Sequence, residues 1–388
     1  MSKYFSADWI FPVNMPPIKN GVVSISESGE IEAVFTDHAA SKLTVEIEKH
    51  KGAIVPGFVN THCHLELSHM HGQIPEKTGL VGFVQTVIKN RQSDNDMVIE
   101  AMKTADQQML NNGIVAVGDI SNQSISRDVK FQSTIHYHTF VEAMSFNPAR
   151  ADAVMENAIA LKNDFLPLPA SIVPHAPYSV SEKLFQLISE RAETDKDFIS
   201  IHNQETTDEN NFFLTKTGGF LNLYKFLGLE IEFFQPTAKT SLQSWLPYVK
   251  KQKTLLVHNT VTSEEDVAFA RQNHPDLYWC LCPQANLYIE DALPNVDLFI
   301  DENLKITLGT DSLASNHQLN ILSEMKVLQE HKKVNFEHLL QWATINGAQF
   351  LGLYRRLGTI EVGKSPGLNL IQLSDDFTIE SDKVERLS

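Results

Sequence analysis

The sequence predicts an α/β protein in which a distorted (β/α)₈ TIM barrel carries a small β-sandwich domain. Three observations support this: eight short apolar runs, helix-like stretches between them, and strand-like segments at both chain ends that do not fit the alternation. Continuous apolar and β-branched runs are typical of parallel strands buried on both faces. The 388 residues suffice for a barrel of roughly 250 residues and an accessory domain. The runs are residues 53–60, 114–119, 135–141, 170–174, 198–201, 254–257, 277–281 and 305–308.

Helical patterns separate the runs, and residues 97–111 and 181–193 are two examples. Long connections follow the first and fifth runs, at residues 76–96 and 203–241. The loops that follow barrel strands surround the site at one end of a barrel. We therefore expect these two connections to shape the substrate pocket.

The two ends of the chain predict the smaller domain. Residues 21–34 contain two short strand-like stretches with a turn signal between them, and residues 358–373 are again strand-like. Neither segment fits the strand–helix alternation of the middle. We therefore predict a β-sandwich domain built from residues 1–53 and 357–388, and a barrel domain of residues 54–356.

Charge and composition limit the partners. Acidic residues outnumber basic ones by 48 to 32, a net charge of −16, which argues against nucleic acid because phosphate backbones require basic patches. There is no apolar run of about 18 residues that could span a membrane, and we expect no secretion signal because the first residues lack a basic region followed by an apolar stretch. The three cysteines, Cys63, Cys280 and Cys282, indicate buried thiols in a reducing compartment. We therefore expect a cytoplasmic protein acting on a small molecule and, since dimers are the commonest assemblies, a homodimer.

One motif is misleading. Residues 358–365, GTIEVGKS, match the phosphate-loop pattern, but Pro366 and Gly367 follow where that loop needs a helix. We therefore expect no nucleotide phosphates to bind at this segment.

Histidines and an aspartate follow the runs at the ends that a barrel brings together. His62 and His64 close the first run, and because positions i and i+2 of a strand share a face, both imidazoles can bind one cation. On its own, this pair could equally be two surface or core histidines. The carboxyl ends of all barrel strands meet at one mouth, however, which favours a shared metal site. The residues that follow the fourth, fifth, sixth and eighth runs are His175, His202, His258 and Asp311.

Charge and geometry assign roles to these residues. The predicted metal ligands are His62, His64, His202 and Asp311. Such a set leaves an open position at which the cation lowers the pKa of a bound water. Glu205, three residues beyond His202, can transfer a proton to a substrate nitrogen, and His258 can orient the water or stabilise negative charge. The fourth run lacks the lysine that bridges two-metal sites, so we predict one divalent ion: zinc, with iron or manganese as alternatives.

These motifs resemble the amidohydrolase superfamily, specifically its branch of mononuclear deaminases and chlorohydrolases. The resemblance spans nearly the whole chain in the family's order, and HAPYSVS and GTDSLASN are its most specific parts. The resembling segments are PGFVNTHCHLELS (56–68), VPHAPYSVS (173–181), IHNQE (201–205), LLVH (255–258), LCPQANLYI (281–289), LGTDSLASN (308–316) and GTIEVGKSPGLNLI (358–371).

The resemblance implies a TIM barrel with a sandwich composed of both chain ends, and the same four metal ligands. It also implies an acid/base role for Glu205 and a water-orienting role for His258. The substrate contacts that we predict with it are His175, Glu66, Ser312 and Asn316. The run HLELSH (64–69), which contains Glu66, is similar to members that act on adenine-bearing nucleosides, including aminodeoxyfutalosine deaminases.

One departure concerns substrate charge. Many relatives carry Cys-Pro-Arg-Ser-Asn after the seventh strand, where the arginine can contact substrate. This chain has CPQAN at residues 282–286, with Gln284 in the arginine's place. We therefore do not expect a carboxylate or phosphate to be recognised at that position.

The predicted function is metal-dependent hydrolysis of carbon–nitrogen bonds other than peptide bonds. We predict deamination of an aminated heterocycle, such as an adenine-type nucleoside or a related amidine. Glu205 would protonate the ring nitrogen, while Asp311 and His258 would manage the proton of the attacking water. Two alternatives stay open: the same site could remove chloride or hydrolyse a cyclic amide, or the barrel could be a metal-free interaction scaffold.

Overall fold

Strands and helices alternate over most of the protein. The computed structural model describes residues 2–195, 197–250 and 252–388. The strands, in chain order, are β1 (Lys3–Ser6), β2 (Trp9–Ile10), β3 (Ile18–Lys19), β4 (Val22–Ile25), β5 (Ile31–Phe35), β6 (Glu48–Lys49), β7 (Ala53–Pro56), β8 (Phe58–Cys63), β9 (Ile114–Ser121), β10 (His136–Ala143), β11 (Ala170–Pro174), β12 (Ile199–Asn203), β13 (Thr254–His258), β14 (Leu277–Leu281), β15 (Ile306–Leu308), β16 (Leu368–Ile371) and β17 (Glu385–Arg386).

The helices lie mainly between strands β8 and β16. The α-helices are α1 (Asp37–Ala40), α2 (Gly79–Asn90), α3 (Asn95–Asn111), α4 (Arg127–Gln132), α5 (Ala151–Asp164), α6 (Glu182–Asp195), α7 (Thr207–Thr215), α8 (Phe220–Leu227), α9 (Ser241–Trp245), α10 (Glu264–Asn273), α11 (Pro283–Glu290), α12 (Val296–Asp301), α13 (Ile321–Lys332), α14 (Phe336–Ala343) and α15 (Ile345–Phe350). Short 3₁₀ helices span Leu65–Met70, Pro148–Arg150, Pro177–Ser179 and Leu246–Tyr248.

Eight strands form two parallel sheets of four strands each, in the orders β11-β10-β9-β8 and β12-β13-β14-β15. The α/β class predicted from the sequence is therefore confirmed. Seven of the eight predicted runs coincide with these strands to within two residues at each end. The continuous apolar character of the runs reflects burial on both faces.

The first run was wrongly predicted as one strand, because residues 53–60 divide between β7 and β8 at Gly57. The backbone N–H of Gly57 donates to the carbonyl oxygens of Pro366 and Gly367, at 3.1 and 3.2 Å. A side chain at position 57 would lie 2.4 Å from Val115 and 2.5 Å from the carbonyl oxygen of Pro366. The chain therefore crosses here from one sheet to another at a point where only glycine fits.

The two parallel sheets approach each other at both edges. The backbone N–H groups of Thr310 and Asp311 donate to the carbonyl oxygen of His62, at 3.0 and 3.1 Å, beside a parallel bridge between Cys63 and Asp311. At the other edge, the N–H of His202 donates to the carbonyl oxygen of His175 at 3.0 Å. These contacts bring the carboxyl ends of β8, β11 and β12 next to the loop that follows β15.

Two smaller sheets contain the strands at the ends of the chain. One has the order β5-β4-β1-β6, and the other, β17-β16-β7-β2-β3, includes strands from both chain ends. A shared apolar cluster includes Phe5 and Val23 of the first sheet and Ile54 and Leu368 of the second. The paired strands β4 and β5 match the prediction for residues 21–34.

Part of the C-terminal prediction is wrong. Within residues 358–373, β16 is the only β-strand, and the residues before it form turns. The residue that would serve as the phosphate-loop lysine, Lys364, donates to Thr359 at 2.8 Å and lies 3.0 Å from Glu361. No helix follows within the described residues, so the phosphate-loop match lacks the structure that binds phosphate.

The apolar core is divided by the parallel sheets. The largest cluster packs the helices against one face of the strands and includes Val141, Leu256 and Leu322. A second cluster takes residues from both parallel sheets, including Phe140 and Val257. Across the described ranges, no helix is both long and apolar enough to cross a lipid bilayer.

Candidate metal centre and active site

Four side chains, three of them buried and His64 partly buried, meet where strands of the two parallel sheets end. The Nε2 atom of His64 lies 3.2 Å from the Nε2 atoms of both His62 and His202. The Oδ1 atom of Asp311 lies 3.5 Å from His62 Nε2 and 3.4 Å from His64 Nε2. The structure thus brings together the four side chains that the sequence predicts as metal ligands.

The backbone at the strand ends directs these side chains toward one another. Asp311 has φ of 55°, and His258 at the end of β13 has φ of 76°. Positive φ is uncommon for residues other than glycine and is held here by surrounding contacts. For Asp311, the carbonyl oxygen of His62 supplies such a contact, because it binds the N–H of Asp311.

Hydrogen bonds behind the cluster fix the orientation of its members. The Nδ1 atom of His202 lies 2.8 Å from the carbonyl oxygen of His175. A carbonyl only accepts, so Nδ1 carries the proton, and the lone pair of Nε2 faces the cluster. The hydroxyl of Ser315 donates to Asp311 Oδ2 at 2.5 Å, which leaves Oδ1 directed at the histidines. Bonds of this kind orient metal ligands in proteins.

The pKa shifts of three of the four side chains favour the forms that bind a divalent cation, and His62 is the exception. Burial lowers the pKa of His64, and burial followed by the charge of His62 lowers the pKa of His202 well below its ordinary value. For His62, burial lowers the pKa, but the hydrogen bond and charge of Asp311 outweigh it and raise it. Burial also opposes ionisation of Asp311, but the histidines outweigh it and hold its pKa well below the usual range. Imidazole lone pairs and one carboxylate are the donors that zinc and similar ions take, so the residues fit such an ion.

A buried ion pair supports the segment that follows His64. Asp119 of β9 accepts a hydrogen bond from the backbone N–H of Leu65 at 2.8 Å. Its other carboxylate oxygen lies 2.7 Å from Lys130 Nζ, and both side chains are fully buried. Lys130 also donates to Ser121 at 2.8 Å. The charge of Asp119 is therefore paired, and its position fixes the turn after the first two histidines.

Glu205 and His258 lie together beside the cluster. The Oε1 atom of Glu205 is 3.7 Å from His258 Nε2. His258 Nδ1 lies 2.8 Å from Oδ1 of Asn286, whose amide nitrogen donates to Thr260 at 2.8 Å. Nδ1 therefore carries the proton, and Nε2 presents its lone pair toward Glu205.

Burial gives these two residues opposite protonation tendencies. Burial lowers the pKa of His258 to about 4, so its imidazole is neutral at neutral pH. Burial, and then the negative charges of Asp311 and Glu209, raise the pKa of Glu205 well above its ordinary value. The raised pKa favours the protonated form of Glu205, which is the form that a proton donor needs, next to a neutral imidazole.

A second glutamate holds the loop that carries Glu205. Glu209 accepts hydrogen bonds from the backbone N–H groups of Gln204 and Glu205, at 2.9 and 3.4 Å, and from the hydroxyl of Ser241. Gln204 has φ of 47°, a left-handed turn that these bonds stabilise. Burial raises the pKa of Glu209 to about 7.

Two of the predicted substrate contacts lie close to the cluster. His175 packs against His202, with 5.0 Å between ring centroids, and its Nδ1 atom lies 2.6 Å from the hydroxyl of Ser179. Ser312 follows Asp311 directly, and its hydroxyl is 3.1 Å from that of Ser315. Both positions are compatible with the predicted contacts, which stay predictions.

The other two predicted contacts have their polar atoms engaged inside the protein. Glu66 accepts hydrogen bonds from the N–H of Asn122 at 3.0 Å and the hydroxyl of Ser126 at 3.3 Å, and burial raises its pKa to about 7. Asn316 donates to the carbonyl oxygen of Thr310 at 2.9 Å and to Glu324 at 2.8 Å. In this structure, both side chains hold loops around the cluster, and a role in substrate binding stays a prediction.

Three further site residues were not recognised from the sequence: Glu142, Asn286 and Ser315. Glu142 follows the third run directly, so the reasoning used for the other strand ends could have found it. Asn286 and Ser315 lie within the resembling segments, but no sequence pattern shows which histidine or carboxylate each one contacts. A further histidine pair, His136 and His138, lies in β10, and His138 is 2.8 Å from the hydroxyl of Ser171 rather than in the cluster.

A cavity of about 470 Å³ opens beside the cluster, and its lining includes His175 and Tyr178. Its outer walls include Ile88 and Leu227 of helices α2 and α8, both of which are partly exposed. Helix α2 overlaps the first long connection, and α7 and α8 lie in the second. Both connections thus reach the region beside the metal cluster, as expected for pocket-forming loops.

Comparison with known proteins identifies the family. A model of the amidohydrolase family matches residues 53–385, which is most of the chain. The chain belongs to the amidohydrolase family. This amidohydrolase is therefore a hydrolase that acts on carbon–nitrogen bonds other than peptide bonds, as the sequence predicts.

Among the similar proteins, adenosine deaminase from Helicobacter pylori is 25% identical to this amidohydrolase over 334 residues, which cover 84% of this chain and 80% of that one. The crystal structure of Helicobacter pylori aminofutalosine deaminase in complex with methylthio-coformycin superposes with a TM-score of 0.81 at 21% identity. That match covers 97% of this chain and 93% of the other. Atrazine chlorohydrolase from Arthrobacter aurescens complexed with zinc reaches a TM-score of 0.75 at 16% identity, covering 98% and 92%. At these identities, the two structures show a shared fold.

Proposed function

We propose that this amidohydrolase holds one divalent metal ion, with zinc as the preferred assignment. We also propose that it hydrolytically deaminates an adenine-type nucleoside or a related amidine. The proposed ligands are His62, His64, His202 and Asp311. The observation that carries the proposal is the position of Glu205, a buried carboxyl group of raised pKa that lies 3.7 Å from His258 and beside the ligand cluster. Deamination of a ring amidine needs both a proton donor for the ring nitrogen and a route for the proton of water.

When bound, the cation supplies a water molecule of lowered pKa that can act as a nucleophile near neutral pH. Glu205 donates its proton to the ring nitrogen next to the attacked carbon. His258, whose Nε2 lone pair faces the same region, accepts or orients the proton that the water loses, and Asp311 contributes its negative charge. His258 passes the proton taken from water to the amino group, the carbon–nitrogen bond breaks and ammonia leaves, while the remaining hydroxyl proton returns to Glu205 as the carbonyl forms.

Two kinds of similarity support an aminated nucleoside as the substrate. The relative at 25% identity over 84% of the chain is an adenosine deaminase. The structural neighbour with the TM-score of 0.81 is an aminofutalosine deaminase. The cavity of about 470 Å³ beside His175 is within the size range of small-molecule sites. Removal of chloride is the alternative that the shared fold with a chlorohydrolase keeps open.

We also propose that the two parallel sheets close into the predicted distorted (β/α)₈ barrel. The contacts between His62 and Asp311 at one edge, and between His175 and His202 at the other, support this closure. The division into a domain of residues 1–53 and 357–388 and a barrel of residues 54–356 likewise stays a proposal. It is supported by the mixed sheet of both chain ends, although β7 in that sheet extends the smaller unit to Pro56.

A cytoplasmic location and a homodimer stay predictions. The cytoplasmic location is supported by Cys63, Cys280 and Cys282, which are all buried and unlinked.

The test is a screen of the metal-reconstituted enzyme for release of ammonia from purine nucleosides, free purines, pterins and amino-triazines. Chloride release from chloro-triazines and opening of cyclic amides are measured in parallel. We expect ammonia from adenine-type nucleosides. Release of chloride or ring opening without ammonia would replace the proposal with the alternative reaction, and a protein that binds no metal would favour the scaffold.

A further inference from the structure

Glu142 is a buried acidic residue that the proposed mechanism does not use. It lies in β10, and only 2% of its side chain is exposed. The amide nitrogen of Asn122 donates to its Oε2 atom at 2.9 Å, whereas Oε1 has no hydrogen-bond partner among the described residues. Because a buried acceptor without a partner costs free energy, such an atom is informative about what binds there.

The side chain of Glu142 faces the active site. Alternate residues of a strand share a face, so Glu142 points to the same side of β10 as Phe140, which belongs to the cluster between the two parallel sheets. Polar atoms of Glu142, His175 and His202 all lie within 4.8 Å of one another. Glu142 therefore lies at the mouth, directly beside one proposed metal ligand.

His202 does not satisfy this free oxygen. The distance from Glu142 Oε1 to His202 Nδ1 is 3.7 Å, too long for a hydrogen bond. The proton of Nδ1 is already donated to the carbonyl oxygen of His175 at 2.8 Å. The Nδ1 atom of His175 does not pair with this oxygen of Glu142 either, because Nδ1 is already paired with the hydroxyl of Ser179 at 2.6 Å.

Glu142 also lies where the cluster adjoins the cavity. Met144 and Ser145, which follow it in the chain, line the cavity together with His175. If the reacting ring of a substrate lies at Glu205 and the rest of the molecule enters the cavity, the substrate passes beside Glu142. A free nucleobase, with all its atoms at the cluster, would leave both the cavity and the oxygen of Glu142 unused.

We propose that Glu142 accepts hydrogen bonds from the sugar hydroxyl groups of a nucleoside substrate and thereby selects nucleosides over free bases. This inference rests on the proposed function. A carboxylate only accepts hydrogen bonds, so it binds hydroxyl groups well and disfavours an anionic substituent at the same place. Glu142 is thus a specificity-determining residue that contacts the part of the substrate remote from the reacting carbon.

The test pairs a protein variant with a substrate change. The best nucleoside of the screen and its 2′-deoxy and 3′-deoxy counterparts are assayed with the wild type, with Glu142→Gln and with the control Glu156→Gln. Glu156 is exposed on α5 and loses the same charge away from the site. In the wild type, removal of the recognised hydroxyl should lower kcat/KM by about 10- to 100-fold, as expected for a hydrogen bond to a charged group.

Glu142→Gln should lower kcat/KM for the intact nucleoside by a similar factor, mainly by raising KM. For this variant, removal of the recognised hydroxyl from the substrate should lower kcat/KM little further. Two results would instead make Glu142 a residue that only positions His202. One is that the losses in kcat/KM from the variant and from the deoxy substrate multiply; the other is that kcat and metal content fall while KM is unchanged. If Glu142→Gln does not fold, the deoxy series in the wild type still decides, because equal kcat/KM for all three nucleosides overturns the inference.

A binding measurement separates this inference from the proposed reaction. Purine riboside lacks the amino group, so it cannot release ammonia and its binding can be measured without turnover. By calorimetry, we expect it to bind the wild type and Glu156→Gln alike, and Glu142→Gln about 10- to 100-fold more weakly. Absence of binding to the wild type, or equal affinity for all three proteins, would refute the role of Glu142, whereas binding without any ammonia release would refute only the reaction.

Discussion

Replacement of Glu205 by glutamine tests the proposed proton transfer. Glutamine preserves the size of the side chain and an N–H donor, but it has no proton to release. Glu205 is only 4% exposed, so solvent has little access to take over the proton transfer. General acid catalysis contributes about 10²- to 10⁴-fold, which corresponds to about 3–5 kcal/mol of activation free energy. We expect kcat to fall by that factor, while KM changes by only a few fold.

The assay is the steady-state release of ammonia from the best substrate of the screen, with metal content measured on the same samples. Glu190→Gln, on the exposed face of α6, is the matched control and should behave as the wild type. Full turnover by Glu205→Gln with normal metal content would show that another group moves the proton. Loss of metal from this variant would instead assign Glu205 to the ligand set.

Three further changes probe the surroundings of the site. Ser315→Ala removes the hydroxyl that binds Asp311 Oδ2 and should weaken zinc binding by about 10- to 100-fold in chelator competition; unchanged affinity would contradict its orienting role. Lys130→Met leaves the buried carboxylate of Asp119 without its cation and should lower the free energy of unfolding, measured in urea, by about 3–5 kcal/mol. Combining it with Asp119→Asn should restore part of this free energy. The pKa of Glu209 is about 7 when folded and ordinarily 4.5, so its contribution to stability is present below pH 4.5 and is lost as pH rises to about 7. The difference in unfolding free energy between wild type and Glu209→Gln should therefore shrink from pH 5 to pH 8, and a constant or growing difference would contradict the raised pKa.

The parts of the site that follow directly from strand geometry could be predicted from the sequence. His62, His64 and His202 lie at strand ends, and parallel strands bring those ends together whatever the loops do. Asp311 and Glu205 follow strands within three residues, so their positions depend on little else. The continuous apolar runs located seven of the eight parallel strands for the same reason: burial on both faces leaves a simple pattern.

The parts that depend on contacts between distant segments could not be predicted. The break at Gly57 is set by the backbone of Pro366, more than three hundred residues along the chain. The partners of Glu66 and Asn316 are backbone and side-chain groups of neighbouring loops, so a resemblance could suggest substrate contacts there without showing that their polar atoms are already engaged. The left-handed backbone of His258, which turns its ring toward Glu205, likewise has no signature in the sequence.

Metal stoichiometry tests the central claim most directly. The purified chain is stripped with chelator, refilled separately with zinc, iron and manganese, and analysed by elemental mass spectrometry beside Asp311→Asn. We predict close to one ion per wild-type chain and a marked loss of affinity in Asp311→Asn, whose side chain no longer supplies a negative charge to the three histidines. A wild-type chain that retains none of these ions, or a variant that retains its ion as tightly as the wild type, would contradict the claim that these four side chains form the metal centre.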